Sequence, residues 1–97
     1  MRKITIDSVA AFMSGERFSK QNMLVEVDEI GDVLLKLHGN TIAKRSLDGV
    51  LSITNAGWAT NTTKERLNGI DGVSIYQQNW DWYLNGEKWD GSWRVIK

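Results

Sequence analysis

The chain contains no cysteine and no proline, and it has a single histidine in 97 residues. Without cysteine there can be no disulfide, no thiolate nucleophile and no cysteine-ligated metal or cluster. A lone histidine cannot form a histidine-based zinc site. Without proline, the turns have to be made by Gly, Asn or Asp, which are the other residues that favour turn conformations.

Long hydrophobic runs are also missing. Arg2 and Lys3 lie near the start, but no apolar run of about 7–15 residues follows them, so we expect no secretory signal peptide. No stretch approaches the roughly 20 apolar residues that a membrane-spanning helix needs. The sequence therefore predicts a cytoplasmic protein with no membrane contact.

Charge of one sign is not in excess either. Twelve Lys and Arg residues balance twelve Asp and Glu residues, so the formal net charge is zero. A neutral molecule has no general attraction to DNA, RNA or anionic lipid, although a local basic patch remains compatible with this composition. The length of 97 residues suits one domain, which we place at residues 1–97.

The first element is predicted to be a helix over residues 5–14, which Thr5 or Asp7 caps and Gly15 ends. Its apolar face is formed by residues that recur every three or four positions. These residues are Ile6, Val9, Ala10 and Met13.

Short antiparallel strands are predicted for most of the remaining chain, because apolar residues alternate there and turn dipeptides follow each run. Strands are expected at residues 23–27, 33–37, 41–45 and 50–54, then at residues 73–76 and 82–84, with a possible edge strand at 93–96. Between the fourth and fifth strands, Thr62 and Glu65 have the spacing of a capping box for a short helix that ends at Asn68–Gly69. We therefore predict an α+β fold with a curved antiparallel sheet of about six or seven short strands and both helices on one face.

Tryptophan is unusually frequent, with five in the chain and four of them from position 80 onward. Trp82 alternates with Leu84 and is expected in the core. Trp80 falls at a predicted turn and Trp89 in a loop rich in Gly and Asp, where burial does not follow from the pattern. If both are exposed, they form the kind of aromatic pair that dominates protein-binding hot spots.

Three stretches carry a resemblance to a known group of proteins. They are LHGNTIA at residues 37–43, NAGWATNTTKERLN at 55–68 and WYLNG at 82–86. In these stretches the chain resembles a family of small uncharacterised bacteriophage-encoded accessory proteins. The resemblance implies a small accessory protein made in the cytoplasm of an infected bacterium. It implies no activity, cofactor or catalytic residue, because none is assigned to that family.

No arrangement typical of an enzyme is found in the sequence. His38 comes just before a predicted hairpin turn, and no nucleophile with a matching base accompanies it. The acidic residues from Glu26 to Asp32 do not have the spacing of a calcium-binding EF-hand loop. We therefore predict a protein that is not an enzyme and that has no cofactor and no metal.

The leading hypothesis is a binding protein that blocks a host or defence protein of the bacterium by direct contact, as an anti-defence or host-takeover inhibitor. Aromatic residues would anchor the contact and acidic residues would steer it toward a basic face. The predicted contact residues are Trp80, Asp81, Glu87, Trp89 and Asp90, with a second patch at Glu26, Asp28, Glu29 and Asp32.

Two alternatives remain open. The first is a nucleic-acid-binding module in which Trp80 and Trp89 stack on bases. Its phosphate contacts would be Lys44, Arg45, Lys64, Arg66 and Arg94. The second is a structural phage component that forms homo-oligomers through an exposed edge strand at residues 93–96 or 41–45.

Overall fold

The computed structural model describes residues 1–96, which contain two helices and nine strands. The elements in chain order are α1 (Lys3–Ser14), β1 (Phe18–Lys20), β2 (Met23–Val27), β3 (Val33–Leu37), β4 (Asn40–Arg45), β5 (Leu51–Ile53), α2 (Asn61–Leu67), β6 (Ile75–Gln78), β7 (Asp81–Leu84), β8 (Glu87–Lys88) and β9 (Arg94–Val95). None of the helices in this part of the chain is long and apolar enough to cross a membrane.

The strands form two sheets in which every pairing is antiparallel. The larger sheet has the order β1-β2-β3-β4-β5-β9, and the smaller one has the order β6-β7-β8. The predicted α+β class is confirmed, as is the short helix between the fourth and fifth predicted strands. The possible edge strand at residues 93–96 is present as β9. The unpredicted strands β1 and β8 have only three and two residues, which is too short for a clear alternating pattern.

Helix α1 ends where predicted, but it buries a different face. Gly15 has φ +76° and donates its N–H to carbonyls of the last turn, as a left-handed helix cap does. The predicted apolar residues Ile6 and Met13 are exposed. The buried face instead consists of Ile4, Thr5, Ser8, Val9, Ala11 and Phe12. No side chain caps the start of the helix, where Arg2 holds the cap position.

The long sheet follows its predicted pattern closely. Met23 and Val25, then Leu35 and Leu37, and finally Ile53 all point into the core, as their alternation indicates. The turn between β3 and β4 is displaced by one residue from its predicted position.

The positive φ values in that turn belong to His38 and Gly39 rather than to Gly39 and Asn40. The register also shifts between Leu35 and Lys36, so that both Ile42 and Ala43 become buried. The edge expected at residues 41–45 is wrong, because β4 pairs with β3 and β5, whereas β9 is an edge of the sheet.

Helix α2 begins two residues earlier than predicted. Its cap is Thr60, whose hydroxyl accepts a hydrogen bond from the Thr63 N–H at 3.2 Å, and no capping box forms. Leu67 and Ile70 dock the helix on the core, as expected. Asn68 then joins it to β6, since its side chain makes two hydrogen bonds with the backbone of Ile75, at 2.7 and 2.9 Å.

Both sheets and α1 contribute to one hydrophobic core. From the small sheet, Ile75, Trp82 and Leu84 point inward. The chain then returns to the large sheet through Gly91, whose carbonyl accepts hydrogen bonds from the Thr54 hydroxyl at 2.6 Å and the Asn55 N–H at 2.9 Å. This connection places the hairpin formed by β6 and β7 beside the core, with its turn free to project.

Candidate functional site

Trp80 lies at the tip of the β6–β7 hairpin and is 92% exposed. Gln78 pairs with Asp81, so the loop contains only Asn79 and Trp80, with φ values of +52° and +71°. Two positive φ values define the tight turn that matches the twist of a hairpin, and the second position of this turn strongly favours glycine. The structure therefore holds a large apolar side chain in water at a position where a left-handed backbone disfavours it.

The outer face of the same hairpin is also aromatic. Tyr76 and Tyr83 lie opposite each other on neighbouring strands, and their rings stack at 5.3 Å with planes only 7° apart. We call the residues Tyr76, Trp80, Asp81, Tyr83 and Lys88 the hairpin surface. Tyr76 was not among the predicted contact residues, although its alternation with the inward Ile75 indicates the outer face.

The charged residues of this region are mostly paired with one another. Asp81 lies 3.4 Å from the Lys88 ammonium group, and Glu87 lies 3.8 Å from the Arg94 guanidinium. Both pairs are solvent-exposed, so each contributes little to stability and its acidic member remains accessible to a partner.

Asp90 has a local structural role. Its carboxylate accepts hydrogen bonds from the Ser92 hydroxyl at 2.7 Å and the Ser92 N–H at 3.0 Å. These hydrogen bonds, that of the hydroxyl above all, hold the pKa of the Asp90 carboxyl below its ordinary value. Asp90 stays exposed and ionised, but part of its hydrogen-bonding capacity serves the loop.

Trp89 was predicted as a contact residue on the condition that it is exposed, and that condition is not met, because the side chain is only 3% exposed. Its ring packs against Trp82 with centroids 6.2 Å apart, and its indole N–H donates to the Ser92 carbonyl at 2.9 Å. The Gly and Asp residues around it fold the loop back over the core, which buries the indole. Of the two tryptophans in the predicted pair, only Trp80 is therefore exposed.

The second predicted patch, at Glu26, Asp28, Glu29 and Asp32, is largely occupied by internal contacts. The Asp28 carboxylate accepts hydrogen bonds from the backbone N–H groups of Ile30 and Asp32, at 3.1 and 2.9 Å, and so closes the turn. Asp32 is buried, and Glu26 forms an ion pair with Lys36. Only Glu29 is exposed, so the four carboxylates do not form one open acidic surface.

The basic residues of the nucleic-acid alternative are separated and engaged elsewhere. Arg66 is 2% exposed and bonds to Thr5, Glu65 and Asn22. A guanidinium N–H of Arg45 donates to the Phe12 carbonyl at 3.2 Å. The ammonium groups of Lys44 and Lys64 lie over the rings of Trp93 and Trp82 respectively, each 5.8 Å from the ring centroid.

A protein-family model described as Kyanoviridae Gp96 protein matches residues 1–95. The chain belongs to this family. The Kyanoviridae are bacteriophages that infect cyanobacteria, so the predicted relationship to small phage-encoded proteins is confirmed. Among the curated proteins none matches the chain, and none of the solved structures does.

Membership of the Kyanoviridae Gp96 family identifies a phage protein without assigning an activity. Within residues 1–96, no three metal-ligating side chains come close enough together to hold an ion.

Proposed function

We propose that the chain is a cyanophage accessory protein that binds a protein of the infected cell through the hairpin surface, with Trp80 as the anchor. The observation that carries this proposal is the 92% exposure of Trp80 on a left-handed turn. Both the exposure and the backbone conformation disfavour tryptophan at this position in the free protein, so a role outside the fold accounts for it better than packing does.

Two other tight turns, those with positive φ at both loop residues of a hairpin in the same way as Asn79–Trp80, provide an internal comparison. The turns at His38–Gly39 and Asn85–Gly86 have positive φ at both residues, and each has glycine at the second position. In the Asn79–Trp80 turn a tryptophan takes the place of that glycine. A non-glycine residue in the left-handed region lowers the stability of the fold by about 1–2 kcal/mol. At an exposed tip no packing of the side chain offsets this loss.

An indole in this position suits a concave apolar pocket on a partner. Burial of a tryptophan removes about 150–250 Å² from water, and tryptophan and tyrosine are enriched at binding hot spots. The stacked pair of Tyr76 and Tyr83 would extend the contact along the outer face of the hairpin. Such a pair adds rigid aromatic area at a small cost in side-chain entropy.

The charges favour a partner whose pocket has a basic rim. In the segment of residues 81–94, which follows the anchor, Asp81, Glu87 and Asp90 outnumber Lys88 and Arg94. Acidic groups at the edge of an interface mainly speed association with a basic surface. The proposed partner is a protein of the bacterial cytoplasm, for example a defence protein, which the phage protein would inhibit by covering its working surface without catalysing a reaction.

Affinity capture from a lysate of the host cyanobacterium tests the proposal when it is run with matched variants. The bait proteins are the wild type, Trp80→Gly and Trp93→Ala, and each capture is run both with and without nuclease. Glycine suits the turn at position 80, so the first variant keeps its fold. Trp93 is also exposed, at 51%, but it lies outside the hairpin surface and serves as the control.

We expect a stoichiometric host protein to bind the wild type and the Trp93→Ala variant and to be lost from Trp80→Gly. Equal retention by all three baits would reject Trp80 as the anchor. Material that disappears on nuclease treatment would instead support the nucleic-acid module. A wild-type protein that elutes as a dimer, while Trp80→Gly elutes as a monomer, would support the oligomer-forming component.

A further inference from the structure

A cleft of about 400 Å³ is lined by residues that do not belong to the hairpin surface. It opens between the turn that joins β3 to β4 and the segment that leads into α2. Leu37 and Ile42 supply apolar, buried side chains to it, and Trp58 forms part of its wall. His38, Asn40 and Thr62 add polar groups.

We propose that this cleft binds a neutral planar heterocycle of nucleobase type, which stacks on Trp58. Small-molecule sites are typically mostly apolar clefts of about 300–1,000 Å³ with a few polar groups that fix orientation. The volume and the lining of this cleft match that description. The proposal does not rest on the function proposed for the hairpin surface, since none of the residues that line the cleft belongs to that surface.

The planar shape of the ligand is inferred from Trp58, whose side chain is 58% exposed although it borders an otherwise buried floor. An exposed indole face favours offset stacking with another flat ring. The backbone around Trp58 is well fixed by hydrogen bonds. Its N–H donates to the Asn55 carbonyl at 2.9 Å, and its own carbonyl accepts from the Thr60 N–H at 2.9 Å.

The same turn is held by a side chain. The Asn55 amide oxygen accepts a hydrogen bond from the Gly57 N–H at 2.8 Å. These bonds fix the turn around Trp58, and the Asn55 N–H in turn donates to the Gly91 carbonyl at 2.9 Å, so the backbone of this wall is formed before a ligand arrives. A preformed wall lowers the entropy that binding has to offset.

The absence of net charge on the ligand is inferred from the lining, which among residues 1–96 contains amide, hydroxyl and imidazole groups but no Lys, Arg, Asp or Glu side chain. A charged ligand would lose water in this cleft without gaining a counter-charge. Asn40 offers both an amide donor and an amide acceptor, the combination that matches the edge of a nucleobase. The apolar floor of Leu37 and Ile42 favours a heteroaromatic ring over a sugar, whose hydroxyl groups would remain unpaired against it.

The test is a titration of the ¹⁵N-labelled protein with adenosine and with uridine, followed by NMR. Glucose serves as the sugar probe, and the nucleoside monophosphates serve as charged probes. We expect saturable shifts of the Trp58 indole N–H and the Asn40 side-chain amide, with a Kd below about 1 mM for at least one nucleoside. Each monophosphate is expected to bind more weakly than its nucleoside.

Three variants of the cleft and one control variant show whether the shifts come from binding in the cleft. Trp58→Ala is expected to weaken binding by at least about tenfold, or about 1.4 kcal/mol, and Trp58→Phe is expected to retain most of the affinity. Trp93→Ala removes an indole of similar exposure elsewhere and is expected to bind like the wild type.

Thr62→Val keeps the shape of a half-buried residue while it removes one hydroxyl, so it tests the polar rim even if Trp58→Ala proves poorly folded. No saturable shift with either nucleoside, or equal affinity in Trp58→Ala, overturns the proposal. Stronger binding of glucose or of the monophosphates overturns the inferred ligand class.

Discussion

Trp80 shows how a single residue can be unfavourable for the fold in two respects, through its solvent exposure and through its left-handed backbone. Because the side chain is 92% exposed, its removal takes little packing away from the folded state. The backbone at φ +71° is a conformation that glycine adopts readily and other residues do not. The effect of this residue on stability can therefore be separated from its effect on binding.

We predict that Trp80→Gly raises the free energy of unfolding by about 1 kcal/mol, because it relieves the left-handed conformation. Gly86→Ala, in the equivalent position of the Asn85–Gly86 turn, is expected to lower it by a similar amount. Urea denaturation followed by circular dichroism measures both. A loss of stability in Trp80→Gly would show that the indole packs on the hairpin in solution.

A second effect at residue scale concerns the cluster formed by the buried residues Thr5 and Arg66 and the half-buried Glu65. The Thr5 hydroxyl donates to the Glu65 carboxylate, and a guanidinium N–H of Arg66 donates to the Thr5 oxygen at 3.0 Å. Desolvation by burial raises the pKa of Glu65, but the hydrogen bonds from Thr5 and Arg66 outweigh it, so the pKa lies below the ordinary value of 4.5.

A carboxyl group whose pKa is lowered by folding stabilises the protein above its unfolded pKa, and this contribution is lost as the pH falls through the folded value. We predict that wild-type stability decreases more steeply below pH 4.5 than that of Glu65→Gln. Thermal unfolding from pH 7 to pH 3 measures the two slopes. Parallel curves would mean that Glu65 has the same proton affinity in the folded and unfolded chains.

Among the elements, α1 shows where sequence patterns are ambiguous. Two sets of positions in this helix have helical spacing. The set with Ile6 and Met13 contains only apolar residues, whereas the other set includes the polar residues Thr5 and Ser8. The structure buries the set that contains Thr5, whose hydroxyl finds partners in Glu65 and Arg66. Those partners are about 60 residues away, so no local pattern could reveal that a polar residue belongs to the core.

Effects of very different size on the free energy of unfolding are therefore predicted for two adjacent residues of α1. Phe12→Ala should lower the free energy of unfolding by about 3–5 kcal/mol, because it empties a fully buried site. Met13→Ala should change it by no more than about 0.5 kcal/mol, since Met13 faces solvent. Chemical denaturation of both variants decides between the observed and the predicted helix face.

The strands were more predictable than the helices, for a physical reason. Side chains in a strand alternate with a period of two. When Val25 or Leu35 points into the core, the residues on either side of it therefore point to the other face of the sheet. The tight turn at Trp80 was likewise indicated by the strands on either side. The burial of Trp89 was not, because it depends on where the following loop meets the distant residues Thr54 and Asn55.

For the molecule as a whole, Gly91 is the point at which the two sheets are joined. A side chain at this position would start 2.0 Å from the Asn55 amide nitrogen, and the backbone has φ +89°. The Gly91 carbonyl also accepts two hydrogen bonds from the segment after β5. Any change at Gly91 therefore acts on the contact between the sheets and not only on a loop.

We predict that Gly91→Ala lowers the free energy of unfolding by about 2–4 kcal/mol, from the combined cost of overpacking and of a left-handed alanine. Gly39→Ala is the matched control, because Gly39 has a similar φ of +80° but no neighbour within 4 Å of the added carbon. It should lose only about 1 kcal/mol. Equal losses in the two variants would show that the close approach to Asn55 relaxes freely.

The order of the large sheet also sets a sequence of events in time. Each of the strands β1 to β4 pairs with the next strand along the chain, so short connections join these pairs. Strand β9 is separated from its partner β5 by α2 and the whole small sheet. Short loops close faster and at a lower entropic cost than long ones. During refolding, pulsed hydrogen exchange should thus protect the Thr54 N–H, bonded to Ile42, before the Ile96 N–H, bonded to Leu51. The chain would pass through a stage in which β5 is an unpaired edge that a strand of a second molecule can reach. Because such pairing leads to aggregation, the refolding yield should fall as the protein concentration rises.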